Sequence, residues 1–549
     1  MTAAGIVQRI RPLFSFHTLF FLILLGGFLL RFIALDLKLL HHDEAIHAWF
    51  AYELVTKGAY VYDPMYHGPL LYYVTAGMFF LFGQSDLVAR LLPALFGTAL
   101  IPLVYAIYRL GYLDRRQTLI AALFIAISPD LVYFSRFLRH DIFQLFFSLL
   151  ILVALLAYLE KGKVRYALVA GLATGGGMCL KEDMPLFLVI LAVFGLFLLW
   201  KRPVSIPRTW MRDIFLSALL AVGVMALFYS SFGVHPEILL TGLEKAYTHW
   251  AAMHGMCRIC GPWFFYILLF LLYEVPIFFL ALFGMIQFAD RHNPVPGWIA
   301  RVHAFLATRR RATGEESAPA SRMPSFPAAW DKKELFFLFC IIWFLTALVA
   351  YAYIGEKVPW LILHQLLPAI FISVYLMGRK KMVFALAACV FLLLMTWHVT
   401  FIPADVNEPI VQVQNSEDMR LVMALIDVSD SVAVASENYW PLPWYYRGEG
   451  WSRMHFYGKI VDEGTIYNVN PDMVITHDQA SFVSLTGYEK HTFKLSYWFS
   501  IYDNENRLPE YYVRRDGKMG SINIDVFTKP GLYDKAGISL PFTPYPSFT

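Results

Sequence analysis

The sequence predicts a polytopic α-helical membrane protein, with about eleven transmembrane helices followed by a small α/β domain outside the membrane. Hydrophobic residues make up 58% of the 549 residues and charged residues only 16%, whereas soluble domains carry about 45–50% and about 25%. Apolar stretches of about 20 residues, the length that crosses a bilayer, recur up to residue 402. Beyond that point the pattern changes to the short segments of a soluble fold.

Eleven segments are long and apolar enough to be predicted as membrane spans. A further stretch, 70–83, is apolar but short, which indicates a helix that lies in or dips into the membrane interface. The predicted spans are 15–36, 87–109, 117–135, 141–159, 166–180, 184–200, 213–232, 263–288, 334–353, 358–377 and 382–402.

Lys and Arg collect on alternate connections, and this asymmetry predicts the orientation because basic loops stay in the cytoplasm. The longest basic connection is 289–333. We therefore expect a multi-pass protein of the cell (plasma or inner) membrane, with its C-terminal region on the extracytoplasmic side. The connections predicted to face outward are 37–86, 136–140, 181–183, 233–262 and 354–357.

The chain is predicted to divide into a transmembrane domain, 1–402, and an extracytoplasmic α/β domain, 403–549. In the second part a helical pattern at Glu417–Val428 precedes a strand-like run, Ser431–Ala435. Two further strands are expected, at 473–476 and 522–527. No internal repeat is visible in the sequence, which argues against a transporter built from duplicated halves.

Acidic and basic side chains occur together in the outward loops. The first outer loop begins HHDEAIHAWF, and later loops read SRFLRHD, KED and GEKVPWLILHQLLP. Ionisable groups at bilayer depth are costly and usually mark a functional site. The candidate residues are Asp43, Glu44, His67, Arg139, Asp141, Lys181, Glu182, Glu356, Lys357 and His364.

This mixture of side chains suits the transfer of a group from a lipid-linked phosphate to a hydroxyl or similar acceptor. A carboxylate can act as general base toward the acceptor, and Arg or Lys can offset the charge that grows on the departing phosphate. A divalent metal ion between two carboxylates could do the same work, and no other cofactor is indicated. The alternatives are structural: helix caps, solvated turns and ion pairs at helix ends.

A second group of candidate ligands lies in THWAAMHGMCRICG, which contains His249, His254, Cys257 and Cys260. The Cys-x-x-Cys spacing fits a zinc site or a disulfide, and an outward location favours oxidation. The two histidines lie on the wrong side, and at an unusual spacing, for a familiar zinc finger. A disulfide, a metal site and two unpaired thiols all remain open.

Several motifs resemble the GT-C superfamily of membrane glycosyltransferases, which includes protein O-mannosyltransferases and the enzyme that transfers aminoarabinose to lipid A. The similar segments are the acidic pair after the first span, HGPLLYY at 67–73, RLLPALFG at 90–97 and the Arg-His-Asp of residues 139–141. More narrowly, DEAIHAWFAYEL, YDPMYHGPLLYY, ENYWPLPWYYRG and EKVPWLILHQLLP resemble a family described as glycosyltransferase-like or flippase-activity-associated.

The resemblance implies an inverting hexosyl- or pentosyltransferase that moves a sugar from a polyprenyl-phosphate donor to a lipid, glycan or protein acceptor on the outer face. Asp43 matches the first-loop catalytic acid, with Glu44 as the second half of the pair, and Asp141 matches the second-loop acid. Asp43 and Asp141 could share a metal ion. The residues expected to bind substrate or phosphate are His67, Arg139, Lys181, Glu182, Glu356, Lys357 and His364.

No first-loop lysine aligns with the one that some members of the superfamily use to bind phosphate. The phosphate-binding roles of Arg139, Lys181 and Lys357 are therefore inferred from charge and location alone. The rival hypothesis is a non-catalytic membrane protein that assists the flipping or transport of lipid-linked sugars. Neither hypothesis involves nucleic acid.

Overall fold

A computed structural model describes residues 15–58, 60–201, 204–255, 261–292, 331–403, 405–459, 461–477 and 484–539. The pair Cys257 and Cys260 and nearly all of the basic loop 289–333 lie outside these described residues, so their predictions stay untested. Two regions are apparent in the remainder: a bundle of apolar helices up to residue 403, and a mixed sheet with short helices after it.

The helical region contains sixteen α-helices among the described residues, with short 3₁₀ turns at Pro64–Tyr66 and Pro359–Ile362. The α-helices are α1 Phe16–Phe32, α2 His42–Lys57, α3 Leu70–Phe82, α4 Asp86–Arg109, α5 Arg115–Ile127, α6 Pro129–Phe134, α7 His140–Lys161, α8 Val164–Met178, α9 Met184–Lys201, α10 Trp210–Tyr229, α11 Ile238–Gly255, α12 Phe265–Tyr273, α13 Val275–His292, α14 Lys332–Tyr353, α15 Leu363–Ser373 and α16 Arg379–Phe401.

Within the described part of the chain, six helices are individually long and apolar enough to cross a membrane: α4, α7, α9, α10, α14 and α16. A seventh crossing results if α12 and α13 are counted together. Helices occupy all eleven predicted segments, but the others fall short of the ~20 residues that a bilayer requires. The molecule is a membrane protein, and the count of eleven spans stays a prediction.

Two predicted spans are interrupted. The segment 117–135 divides at Ser128, where Pro129 has no N–H to continue the helix and the Ser128 side chain accepts from the Leu131 amide to begin α6. The segment 263–288 bends by 112° between α12 and α13, and Glu274 stands at the bend. The two interruptions meet inside the protein, where Glu274 accepts from Ser128 Oγ and from the Asp130 amide.

The C-terminal region contains a six-stranded mixed sheet with strand order β1-β5-β6-β4-β2-β3. Strand β2 is parallel to β3 and β4, whereas β6 is antiparallel to β4 and β5. The elements are β1 Gln414–Asn415, α17 Met419–Asp427, β2 Val432–Ala435, α18 Leu442–Tyr445, β3 Met454–Phe456, α19 Glu463–Val469, β4 Met473–His477, β5 Glu489–Phe499, α20 Ile501–Asn504, α21 Leu508–Arg514, β6 Met519–Thr528 and α22 Leu532–Lys535.

Each region has its own apolar core. One core runs continuously between the membrane helices, and a second includes one face of the sheet together with α17, through residues such as Val422, Val434 and Ile475. Burying this apolar surface is the dominant favourable contribution to folding. The strand-like run predicted at 431–435 is observed as β2, and the two later predicted strands fall within β4 and β6.

The C-terminal region packs directly against the first outer loop. The Asn415 side chain donates to the Leu40 carbonyl at 2.7 Å, and the Leu39 amide donates to Glu417 at 3.2 Å. Asp86, at the start of α4, accepts from Trp444 Nε1 and the Tyr445 hydroxyl, each at 2.7 Å. The segment that leads into α2 is therefore held from two sides.

Candidate active site

The first turn of α2 is fixed by Glu44. This carboxylate is fully buried and forms an ion pair with Arg90, with contacts of 2.6 and 2.9 Å. It also accepts from the amides of His41 at 3.0 Å and Leu138 at 2.8 Å. These hydrogen bonds occupy both carboxylate oxygens and join three segments of the chain, so Glu44 anchors α2.

Asp43, the preceding residue, points instead toward a cavity. Its carboxylate pairs with Arg139 and accepts from His42 Nδ1 at 3.1 Å, and 31% of the side chain stays exposed. Burial alone would raise the pKa of Asp43, but the Arg139 guanidinium, with help from His42 and His41, holds that pKa well below its usual range. Asp43 is therefore an ionised, accessible carboxylate.

Arg139 is the centre of an alternating row of charges. Besides Asp43 it contacts Asp141, through Nε at 3.2 Å, and its guanidinium lies 3.5 Å from the centre of the Trp360 ring. Lys181 Nζ contacts the other Asp141 oxygen at 2.5 Å. We call the set Asp43, Arg139, Asp141 and Lys181 the ionic row. Its members come from three loops that are separate in the sequence and are predicted to face outward.

His67 and Glu182 form a second polar pair. His67 Nδ1 lies 2.7 Å from Glu182 Oε2, and the imidazole is parallel to the Trp250 ring, with centroids 5.2 Å apart. His67 has a positive φ of 64°, a conformation that a non-glycine residue adopts only when its surroundings impose it. The next residue, Gly68, is held in place because its amide donates to the Leu180 carbonyl at 2.8 Å.

Asp183 and His364 form a third pair below these residues. His364 Nε2 lies 3.0 Å from Asp183 Oδ2, and the Tyr351 hydroxyl donates to the same carboxylate at 3.3 Å. Burial opposes ionisation, but His364 and Lys181 keep the pKa of Asp183 below its usual range. The sequence predicts His364 as a site residue, whereas it presents Asp183 only as part of the KED loop.

These groups surround one cavity of about 650 Å³. Six of the ten predicted residues line it: Asp43, His67, Arg139, Lys181, Glu182 and Glu356. Asp141 and His364 lie directly behind this lining, in contact with Arg139 and Asp183. The volume is in the usual range for a small-molecule site.

Two predicted residues serve the structure around the cavity and do not line it. Glu44 is the anchor described above. Lys357 Nζ donates to the carbonyls of Tyr351 at 3.0 Å, Ala352 at 2.8 Å and Ile354, so that it caps the C-terminal end of α14. Burial lowers the pKa of Lys357. The sequence predicts Glu44 as a catalytic residue and Lys357 as a ligand of substrate or phosphate, whereas their observed contacts support positioning roles.

Aromatic side chains in the cavity wall escaped the sequence analysis. Trp250, Trp360, Tyr351 and Tyr66 all line it. Trp360 could have been noticed in the EKVPW motif, since Arg stacks readily on Trp. Trp250 gave no signal, because a single Trp on an amphipathic helix more often faces a membrane interface.

The predicted metal pair, Asp43 and Asp141, is bridged by a guanidinium. Arg139 contacts both carboxylates, so a cation already occupies the position between them. Among the described residues, one other group has ligand atoms close enough to hold an ion: Asp141, Asp183 and His364, all within 4.8 Å of one another. Two carboxylates with one imidazole suit a divalent ion.

The chain resembles solved membrane enzymes in fold. It superposes on ArnT from Cupriavidus metallidurans bound to undecaprenyl phosphate with a TM-score of 0.51 and 14% identity, over 83% of this chain and 92% of that one. It superposes on the archaeal oligosaccharyltransferase AglB from Archaeoglobus fulgidus, in complex with an inhibitory peptide and a dolichol-phosphate, with a TM-score of 0.52 and 13% identity. That match covers 85% of this chain and 70% of AglB.

Against ArnT in the apo state the chain covers 58% of the length of that protein, with a TM-score of 0.43. At these levels of identity the similarity shows the fold. No curated protein sequence matches the chain. The family model described as dolichyl-phosphate-mannose-protein mannosyltransferase matches residues 66–232, a segment that includes His67, Arg139, Asp141, Lys181 and Glu182.

The fold is that of a polytopic membrane protein, with charged loops gathered around one cavity. In fold the chain is similar to the GT-C-type membrane glycosyltransferases ArnT and AglB. Over residues 66–232 its sequence also resembles the mannosyltransferase family named above.

Proposed function

We propose that the protein transfers a sugar from a polyprenyl-phosphate donor to an acceptor on the outer face of the membrane. The observation that carries this proposal is the ionic row, which brings an accessible carboxylate and two cations to the wall of one cavity. Its members stand at the ends of apolar helices, as a donor with its tail in the bilayer requires. Arg139 is the residue before α7, and Lys181 follows α8 closely.

In the proposed reaction the bond between the sugar C1 and the phosphate oxygen breaks while a bond from C1 to an acceptor oxygen forms. Asp43 takes the acceptor proton as general base, and Asp141 orients Asp43 through Arg139. The electron pair of the broken bond stays on the phosphate. Attack from the face opposite the phosphate inverts the configuration at C1.

Arg139 and Lys181 can stabilise the developing phosphate charge because both are cations in a largely buried site. His67, steadied by Glu182, adds a polar contact on the same wall. Glu356 also lines the cavity, where a carboxylate can accept from sugar hydroxyls. Trp250 and Tyr351 offer flat apolar faces for a sugar ring.

Two solved relatives of similar fold support the choice of donor. The ArnT structure holds undecaprenyl phosphate, and the AglB structure holds dolichol-phosphate together with a peptide. For this chain we propose the shared chemistry, a polyprenyl phosphate that carries a hexose or pentose. The acceptor would be a lipid, glycan or protein, and the membrane would be the plasma or inner membrane.

A divalent ion is part of the proposal as an option with defined ligands. Asp141, Asp183 and His364 would hold it, and it would supply positive charge toward the phosphate. Lys181 and Arg139 already compensate Asp141, so the ionic row supplies positive charge without an ion. Dialysis of the purified protein against a chelator is expected to leave transfer largely intact.

The proposal is tested by incubating purified protein with a panel of polyprenyl-phosphate sugars and following release of polyprenyl phosphate. Release or transfer with at least one donor is expected, and heat-denatured protein is the control. The rival hypothesis predicts movement of lipid-linked sugar between liposome leaflets with no donor cleaved. That pattern across the whole panel would reject a glycosyltransferase.

A further inference from the structure

Two fully buried carboxyl groups meet at a distance from the cavity. Asp130 lies in the first turn of α6, and Glu274 stands at the bend between α12 and α13. Neither has any solvent-exposed surface, and neither lines the cavity. The two interrupted spans therefore meet where each carries an acidic side chain.

Only one of the four carboxyl oxygens receives a hydrogen bond from an obvious donor. Glu274 Oε1 accepts from Ser128 Oγ at 2.5 Å and from the Asp130 amide at 3.2 Å. Among the residues that the structure describes, Asp130 Oδ1, Asp130 Oδ2 and Glu274 Oε2 have no donor. No described Lys, Arg or His forms an ion pair with either carboxyl group. Helix α16 packs against α6 and carries Thr396, but the Thr396 hydroxyl donates to the Ile127 carbonyl and not to these carboxyl groups.

The Asp130 amide donates to Glu274 Oε1 at 3.2 Å, which places the Glu274 carboxyl group beside the first turn of α6, where Asp130 lies. Ionised carboxylates can only accept hydrogen bonds, so a proton on one of the two carboxyl groups would supply the donor that their unsatisfied oxygens lack. Two bare carboxylates placed side by side also repel each other. Burying an uncompensated charge is also costly, and groups in this situation bind a proton instead.

We propose that Asp130 and Glu274 form a proton-binding site in which the two carboxyl groups share one proton. The proton joins α6 to the bend of α12 and α13. Helix α6 continues directly into the segment that carries Arg136 and Arg139. The proton-binding site therefore helps to hold the segment that leads to the ionic row. This inference is independent of the proposed function.

The sign of the pH effect follows from linkage. The folded protein holds a proton that the unfolded chain releases above about pH 4, the usual range of carboxyl groups. The wild type should therefore lose stability as the pH rises, because the folded state binds more protons than the unfolded state. The double variant Asp130→Asn, Glu274→Gln cannot titrate here and should lose that component.

The experiment compares thermal unfolding of full-length protein in detergent micelles at pH 5.5 and pH 8.5. Between pH 5.5 and pH 8.5 the Tm of the double variant should rise by about 2–5 °C relative to the Tm of the wild type. The matched control is Glu408→Gln. Glu408 is equally buried but is paired with Arg515 at 3.0 Å, so its neutralisation should lower Tm at both pH values.

A second measurement does not depend on stability. At pH 8.5 the infrared C=O stretch of a protonated carboxyl group should be present in wild type and Glu408→Gln, and lost in the double variant. The proposal would be overturned if the Tm values of the wild type and the double variant depended on pH in the same way and both proteins showed the same carboxyl band. So would stabilisation of the wild type, but not of the double variant, by Na⁺ in place of choline, because a metal cation would then occupy the site.

Discussion

At the residue scale, Arg139 decides the charge state of the site. Its guanidinium is shared by Asp43 and Asp141 and is stacked on Trp360. Such a planar group can bridge two carboxylates while it rests on a ring, whereas a lysine cannot. The position of Asp43 and its pKa therefore depend on the same side chain.

Replacing Arg139 by Gln should raise the pKa of Asp43, because burial would then act with less opposition. A nearby opposite charge lowers a carboxyl pKa by about 1–3 units, and the acid limb of the pH–rate profile should move upward by that much. Asp43 stays ionised in wild type down to well below pH 4, and that part of stability is lost only as the pH falls through its lowered pKa.

The measurement is the pH dependence of sugar transfer, with Lys57→Gln as control. Lys57 is on α2, the helix that carries Asp43, and its side chain is 65% exposed and paired with Glu53, so the profile of this variant should match wild type. An unchanged acid limb in Arg139→Gln would show that Arg139 does not set the charge state of Asp43.

Glu44→Gln should behave as a folding defect. Breaking a buried ion pair from one side costs about 3–5 kcal/mol, and the Arg90 guanidinium keeps its contacts to the carbonyls of Leu35 and Leu39 as partial compensation. We expect a clear loss of unfolding free energy in denaturant titrations. Wild-type stability with lost transfer would instead give Glu44 a direct catalytic role.

At the element scale, the close approach of the first outer loop to the KED turn shapes the cavity. The Gly68 and Leu70 amides donate to the carbonyls of Leu180 and Cys179, at 2.8 and 2.9 Å. A Cβ on Gly68 would lie 2.3 Å from the Cys179 oxygen. Two loops can therefore touch only through a glycine.

Gly68→Ala should separate these loops, disrupt the pair His67 and Glu182, and lower both Tm and transfer. Overpacking of this kind costs about 1–3 kcal/mol, and here the new Cβ would clash with the rigid backbone of Cys179. Gly77→Ala is the matched control in the following helix, where a Cβ meets no atom within 4 Å. Equal behaviour of the two variants would show that the close approach is dispensable.

Elements with a strong local pattern could be predicted from sequence. Hydropathy located the apolar helices, and β2, β4 and β6 coincide with predicted strands. Strand β5, Glu489–Phe499, escaped although it alternates, and its inner positions Phe493 and Leu495 are buried. The bend at Glu274 comes two residues before Pro276, which has no N–H to continue the helix, so the sequence contains a local signal for it that mean hydropathy does not register.

The candidate site likewise contains residues that the sequence predicts and residues that it does not. Six of the residues predicted from the loop sequences line the cavity, because loops at the same end of a helical bundle must lie near each other. Lys357 was assigned to phosphate because charge alone does not reveal that a side chain turns back to cap its own helix. The stacking of Trp250 on His67 joins residues far apart in sequence, which no local pattern encodes.

At the scale of the whole molecule, the C-terminal region packs against the segments that position the candidate active site. It forms hydrogen bonds with the backbone of Leu39 and Leu40 just before α2, and with Asp86 at the start of α4. A second junction uses Glu408, which accepts from Tyr273 of α12 and is paired with Arg515. The sheet therefore contributes to the position of Asp43.

Asp86→Ala should loosen this junction, since it leaves the Trp444 and Tyr445 donors without their acceptor, at about 1–3 kcal/mol each. Limited proteolysis should then cleave more rapidly after residue 403, with a smaller loss of transfer. Glu449→Ala, an exposed change in the same segment, should digest like wild type. Identical digestion of Asp86→Ala would contradict a supporting role for the junction.

The most direct test of the central claim is transfer by Asp43→Asn, measured with whichever donor the wild type cleaves. Loss of a general base should slow transfer by about 10²–10⁴-fold, while Tm and binding of undecaprenyl phosphate stay close to wild type. Full transfer activity in Asp43→Asn would contradict the account, because the ionic row would then lack the base on which the proposed reaction depends.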